Sequence, residues 1–287
     1  MRTKALVYSG RLEAVEYPFV AVHDEILVKP LYIYLGDLER AVMQGYLPVN
    51  KPLVLGSMGV VKAVEVLEGP TEYTGKNCVV TPLGSKGVLG IEVDGLLSNY
   101  ASIPSSYIDE EVAEPTPLDA IKPLIKHASE LAANSTEPVI VEGCGLLGLA
   151  TGLALRLLGV EPVFYCEEEG GRAQSYGFEV HRHTGNLSTR WSTLVVTSTS
   201  PSAKYALLKH LEYKQLVISP LSFTSWIPIR PGSTRVINPW KSENYTFIKR
   251  VAKELGRNIK VYSVQNVEEV VGLLPPRGLG VIISFKN

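Results

Sequence analysis

The run Val139-Ile140-Val141-Glu142-Gly143-Cys144-Gly145-Leu146-Leu147-Gly148 constrains this chain more than any other stretch. A β-branched strand pattern ends in glycines spaced G-x-G-x-x-G. A helix pattern follows at once, with Leu149, Leu153, Leu155, Leu157 and Leu158. That strand–turn–helix context is what a dinucleotide-binding fingerprint requires. Gly143 allows a sharp turn, Gly145 leaves out a Cβ that would stand in the way of a pyrophosphate, and Gly148 lets helix and strand pack closely. The backbone amides at the helix start, with Leu146 and Leu147 in its first turn, then meet the phosphates with the positive end of the helix dipole.

The rest of the chain supplies a frame for such a turn. Residues 1–110 carry short β-prone runs (Lys4–Tyr8, Glu25–Lys29, Gly59–Val66, Cys78–Thr81) separated by Gly, Pro, Asn and Asp, the pattern of a partly open barrel or sandwich. Residues 117–134 switch to helical spacing, and Pro138 interrupts it. From Val139 onward strands and helices alternate: strands at 139–141, 162–165, 194–197 and 216–219, and helices at 147–158, 202–211 and 245–255. Such βαβ alternation predicts a parallel sheet with helices on both faces. The tail returns to strands at 259–263 and 280–285 around a short helix at 267–274.

Across 287 residues the formal net charge is −1, which offers no electrostatic case for nucleic acid or an anionic membrane. No apolar run approaches the ~20 residues needed to span a bilayer, and the first residues lack a signal-peptide core. Cys78, Cys144 and Cys166 form no metal or disulfide pattern, so a reducing, cytoplasmic setting is expected. Cys144 reads as a small apolar filler, with a reactive thiol as the alternative. His127 reads as a surface or domain-interface residue, and His181 and His183 as a solvated strand end.

A fingerprint of this kind expects an acidic residue about 20 residues further on, accepting hydrogen bonds from the adenosine ribose. Glu167, in Cys166-Glu167-Glu168-Glu169, stands at about that distance, and Glu168 is its nearest substitute. A carboxylate there repels a 2′-phosphate and favours NAD(H) over NADP(H), while Arg172 nearby works the other way. A surface acidic turn is the competing reading. Thr197 and Ser198 follow a strand whose end would line the ligand crevice, which makes them candidates for the nicotinamide ribose.

The whole chain resembles the medium-chain dehydrogenase/reductase family, the group of the zinc alcohol dehydrogenases. Met1–Ser9, Glu25-Ile-Leu-Val-Lys29, Pro52-Leu-Val-Leu-Gly56 and Asp94-Gly95-Leu-Leu-Ser-Asn-Tyr100 look like the family's conserved segments. The resemblance implies an α/β protein: a GroES-like β-rich domain at 1–116 and 259–287, and a Rossmann doubly wound parallel-sheet domain at 117–258. It also implies a homodimer or homotetramer, with residues 213–239 at the interface. The family's zinc ligands do not carry over. Its C-G-x-D motif reads Tyr34-Leu35-Gly36-Asp37, with the cysteine position on Tyr34 or Leu35. Its G-H-E motif reads Gly56-Ser57-Met58, and the four-cysteine structural lobe is missing. A hydroxyl and a thioether are poor substitutes where catalytic zinc needs three N, S or carboxylate ligands, and Glu114 adds a single carboxylate. No zinc is therefore expected.

Zinc would polarise a carbonyl and stabilise a developing alkoxide. Without it, another donor must do so. Tyr34, Asp37 and Ser57 are the catalytic candidates, with Tyr32 and Tyr46 nearby. Tyrosine packing and a helix-capping role for Asp37 are the competing readings. The implied function is a zinc-independent NAD(P)-dependent oxidoreductase. Hydride would move to or from a small carbonyl, enone or alcohol in the inter-domain cleft. The alternative is a non-catalytic dinucleotide-binding or interaction protein on a degenerate dehydrogenase scaffold.

Overall fold

The computed structural model describes residues 2–18, 25–49, 52–66, 71–167, 171–223, 233–236 and 245–286. Glu168, and residues 224–232 and 237–239 of the expected interface, lie outside the described residues. Two compact units emerge: Met1–Pro123 with Gly256–Asn287, and Leu124–Leu255.

The first unit is β-rich. β1 (Arg2–Tyr8) and β2 (Leu12–Pro18) form a hairpin paired from Arg2↔Pro18 to Tyr8↔Leu12. Gly10, at φ +106°, takes the left-handed conformation its turn requires. β3 (Glu25–Leu35) leads through Gly36 into α1 (Asp37–Met43). Then come β4 (Leu53–Val54), β5 (Met58–Val66), β6 (Asn77–Val80), β7 (Leu83–Gly84), β8 (Gly87–Val88), β9 (Ala101–Pro104) and β10 (Ile108–Glu111). β3 runs six residues past the expected Lys29 even though Pro30 follows. The β3–β5 register shifts between Pro30 and Tyr32, so the residue without an N–H sits at an irregularity in the ladder.

Helical spacing at 117–134 resolves into a 3-10 turn, Pro117–Ile121, and α2 (Lys122–Ala133). The second unit then builds its sheet from β11 (Val139–Glu142), β12 (Val163–Tyr165), β13 (Glu179–His181), β14 (Arg190–Val196), β15 (Glu212–Ile218) and β16 (Ser233–Val236). Between them run α3 (Leu146–Leu157), α4 (Gly171–Ser175), α5 (Pro201–His210) and α6 (Pro220–Phe223), and α7 (Tyr245–Gly256) follows β16. All the pairings are parallel and the spatial order is β13-β12-β11-β14-β15-β16. That is the doubly wound Rossmann order, with its switch point between β11 and β14. β11 is central and buried at every residue, as a strand covered on both faces must be. Leu194, Val196, Leu207, Leu211, Leu216 and Ile218 form the core between sheet and helix on one face.

The tail supplies β17 (Lys260–Val264) and β18 (Val281–Phe285), which pair in parallel. β18 also pairs antiparallel with β3, Ile282 opposite Tyr34, and so completes the order β10-β6-β5-β3-β18-β17 with β9 beside β3. Among the described residues no helix is long and apolar enough to cross a membrane.

Candidate functional site

The fingerprint turn lies at the carboxyl end of β11, where doubly wound sheets bind ligands. Gly143 has φ +105°, and a Cβ there would stand 2.7 Å from Thr197 Oγ1. Gly148, in the first turn of α3, passes so close to the strand that a Cβ would collide with the Gly143 carbonyl oxygen. Gly145 is the N-cap of α3, and no side chain caps the helix. The amides of the first turn, which a helix cannot satisfy internally, thus begin directly against the strand end. This is the cradle that a pyrophosphate needs, and the residues fit a dinucleotide.

Across the switch point the crevice floor is polar and internally bonded. Glu142 is fully buried. Its carboxylate accepts from Ser198 Oγ at 2.5 Å and Ser198 N at 3.1 Å, and its carbonyl accepts from Thr197 Oγ1 at 2.6 Å. Burial pushes the Glu142 carboxyl above the usual range, against the pull of Ser198 and Lys204. Lys204 on α5 is also fully buried. It donates to the Ser222 carbonyl at 2.8 Å, and burial lowers its pKa to about 8. Thr197 and Ser198 thus lie against the carboxyl end of β11, with their hydroxyls committed to Glu142.

Glu167 follows β12 on the other side of the turn. It is exposed, and its Oε2 accepts from Ser202 Oγ at 2.7 Å and Ser200 Oγ at 3.4 Å. Immediately before it, Cys166 is bonded to Cys144, with Cα atoms 5.7 Å apart. This corrects two expectations: the cysteines do hold a disulfide, and Cys144 is not a filler. The 22-residue separation hid the pair, because only the parallel β11–β12 pairing sets the two strand ends side by side. Cys78 remains a buried free thiol.

In the first unit one of the three catalytic candidates, Ser57, bonds to a residue that sequence reasoning missed, Glu39. It is 2% exposed. Its carboxylate accepts from Gly36 N at 2.8 Å, Ser57 N at 2.9 Å and Ser57 Oγ at 2.7 Å. Burial raises its pKa despite these donors. Tyr34 is buried and its hydroxyl donates to the Leu279 carbonyl at 2.6 Å. Asp37 opens α1 and pairs with Arg40 at 3.3 Å. A capping-box spacing from Gly36 to Glu39 was the available signal, and Ser57 reaches Glu39 only through the fold.

No protein-family profile matches the sequence, and no curated protein matches it. Solved structures do match along the whole chain. Acetophenone reductase from Geotrichum candidum, in complex with NAD, aligns at TM-score 0.71 and 14% identity over 99% of this chain and 97% of that one. A thermostable alcohol dehydrogenase from Pyrobaculum aerophilum aligns at 0.70 and 18% over 99% and 100%. A candidate zinc-binding dehydrogenase from Sinorhizobium meliloti, bound to NADP, aligns at 0.70 and 16% over 99% of each. The fold is that of the medium-chain dehydrogenases. The β-rich unit is its GroES-like domain and the parallel-sheet unit its Rossmann domain.

Within the medium-chain dehydrogenase fold, the residues at the zinc-motif positions do not fit the metal. Ser57 Oγ is spent on Glu39, Met58 is a buried thioether, and both Glu39 oxygens already receive protein donors. Among the described residues no three His, Cys, Asp or Glu side chains converge as a ligand set. Glu114 is exposed. His127 is not the surface residue that was one of its two expected readings. It is fully buried, with Nε2 2.8 Å from Ser219 Oγ, and burial lowers its pKa to about 3. α2 is buried on most of its circumference, which its apolar spacing alone does not reveal. His181 pairs with Glu179 at 2.7 Å at a strand end.

Proposed function

We propose that this chain is a zinc-independent, NAD(P)-dependent oxidoreductase acting on a small carbonyl, enone or alcohol. The observation that carries the reading is the cradle at Gly143–Gly148, where a Cβ on Gly148 would strike the Gly143 carbonyl and α3 starts uncapped. Gly145, Leu146 and Leu147 would present backbone amides to the pyrophosphate, assisted by the helix dipole. Glu167 would accept hydrogen bonds from the adenosine ribose. Its charge disfavours a 2′-phosphate, which is the case for NAD(H) over NADP(H). Thr197 and Ser198 would border the nicotinamide ribose through their backbone, since Glu142 holds their hydroxyls. A bound nicotinamide supplies or takes up the hydride; the chain's share is to orient it and exclude water.

In this reading Tyr34, Asp37 and Ser57 are positioning residues. Their polar groups are held by Leu279, Arg40 and Glu39, and they fix the β3–α1 corner. The same bonds favour the second reading, a dinucleotide-binding protein without turnover, because two candidate oxyanion donors are already committed. The test has two stages. Thermal-shift titration with NADH and NADPH is expected to show binding with preference for NADH, and no shift with either refutes the reading. Oxidation of NADH with activated enones or carbonyls supports the enzyme; binding without turnover across such a panel supports the second reading.

A further inference from the structure

We propose that Cys144 and Cys166 form a reversible disulfide that sets how firmly the fingerprint turn grips a dinucleotide. The coupling to ligand rests on the reading above. The bond sits at the open end of the β11–β12 ladder. β11 and β12 pair in register through Glu142↔Tyr165, and Gly143 N extends the ladder to Tyr165 O at 3.0 Å. The next residue on one strand is Cys144. The next on the other is Cys166, itself anchored by its N–H to the His181 carbonyl at 3.0 Å. A Cα separation of 5.7 Å lies within the range of natural disulfides.

The bond joins two parts of the expected dinucleotide site. Cys144 stands between the two glycines of the turn, directly before the N-cap of α3. Cys166 stands directly before Glu167. The disulfide therefore ties the segment that would hold the pyrophosphate to the segment that would hold the ribose. Both side chains are buried, at 6% and 2% exposure.

The turn is held on its two sides by different means. On the β14 side, Glu142 is bonded to Thr197 and Ser198. On the β12 side the disulfide ties the turn beyond the last ladder bond. Two thiols cannot occupy bonded distance, so reduction forces a side chain to rotate or the turn to shift in a closely packed place. The oxidised form is the pre-organised one and binds more tightly.

The exchange needs a disulfide oxidant of the glutathione class. The Cys144 thiolate, the more exposed of the two, attacks one sulfur of that disulfide and releases one small thiolate. The Cys166 thiolate then attacks Cys144 Sγ and releases the second. Two electrons pass from the protein to the oxidant, two thiol protons leave, one Sγ–Sγ bond forms and two small thiols are produced. Reduction by a dithiol reverses each step.

The experiment treats the full chain with oxidised glutathione or with a phosphine reductant. It then counts alkylatable cysteines in denaturant by intact mass and titrates each form with NADH. The expected count is one, Cys78, after oxidation and all three cysteines after reduction. The oxidised form is expected to bind NADH roughly tenfold more tightly, a coupling of ordinary size. Cys144→Ser and Cys166→Ser should bind like the reduced form and ignore the oxidant, and Cys78→Ser should keep the full response. Three alkylatable cysteines after oxidation, or equal NADH affinity in the two forms, overturns the proposal and leaves the dinucleotide reading standing. No NADH binding in either form sinks that reading and the coupling with it, while the alkylation count still decides the bond.

Discussion

Substituting Gly148 by alanine tests the cradle most sharply. The added Cβ would collide with the Gly143 carbonyl oxygen and stand 2.9 Å from both the Gly143 carbonyl carbon and Thr197 Oγ1. Neither neighbour can give way cheaply. Gly143 is held by its amide's bond to Tyr165 O at 3.0 Å and by a left-handed conformation, and Thr197 Oγ1 is donating to Glu142 O at 2.6 Å. Alanine favours the helix by about 1 kcal/mol over glycine. Overpacking against a rigid backbone costs about 3 kcal/mol, the upper end of its usual range. The net loss is about 2 kcal/mol, which for a chain of this size lowers Tm by about 3 °C. Gly171→Ala is the control, because among the described residues nothing lies within 4 Å of its Cβ. It should stay within about 0.5 kcal/mol of the parent. Thermal unfolding by circular dichroism measures stability, and NADH fluorescence measures binding, which Gly148→Ala should weaken more than tenfold. A Gly148→Ala protein that melts and binds like the parent refutes the close helix–strand approach.

Three further outcomes follow from the buried groups and from Glu167. His127 is neutral in the fold, with a pKa of about 3 against 6.5 when unfolded. Between those values the unfolded chain carries the extra proton, so this contribution to stability is complete above pH 6.5. It is lost at about 1.4 kcal/mol per unit as pH falls toward 3. His127→Gln should flatten the acid limb of a urea-midpoint profile, and an unchanged limb would contradict the assignment. Ser57→Ala leaves the buried Glu39 carboxylate with one donor fewer and should cost about 1–3 kcal/mol in urea unfolding; a neutral result would mean the Glu39 lock is not holding the corner. Glu167→Gln removes the charge expected to repel a 2′-phosphate. It should move the NADPH-to-NADH affinity ratio roughly tenfold toward NADPH, about 1.4 kcal/mol; no movement places the ribose contact elsewhere.

What the sequence made legible was local. The β11 run, the glycine spacing and the leucines of α3 lie within twenty residues, and each obeys a rule of backbone geometry that neighbours cannot override. The alternation from Val139 onward likewise implied the parallel sheet. Contacts made by the fold stayed hidden. Cys144 and Cys166 become partners only because β11 and β12 are adjacent. Glu39 gains its role only because the fold brings Ser57, eighteen residues further along the chain, to its carboxylate. His127 shares a helix with Lys122 and Lys126, whose charges suggested a solvated face, yet Lys126 and His127 are both buried. β2 was missed because Leu12–Pro18 carries two glutamates; its pairing with β1 outweighs its composition.

The central claim is that the turn at Gly143–Gly148 holds a nicotinamide dinucleotide. Amide NMR of the labelled chain, titrated with NAD, tests it most directly. The account predicts saturable shifts concentrated at residues 143–148, at Cys166 and Glu167, and at Thr197 and Ser198. Saturable shifts that leave these residues unmoved, or no saturable shift at all, would contradict it.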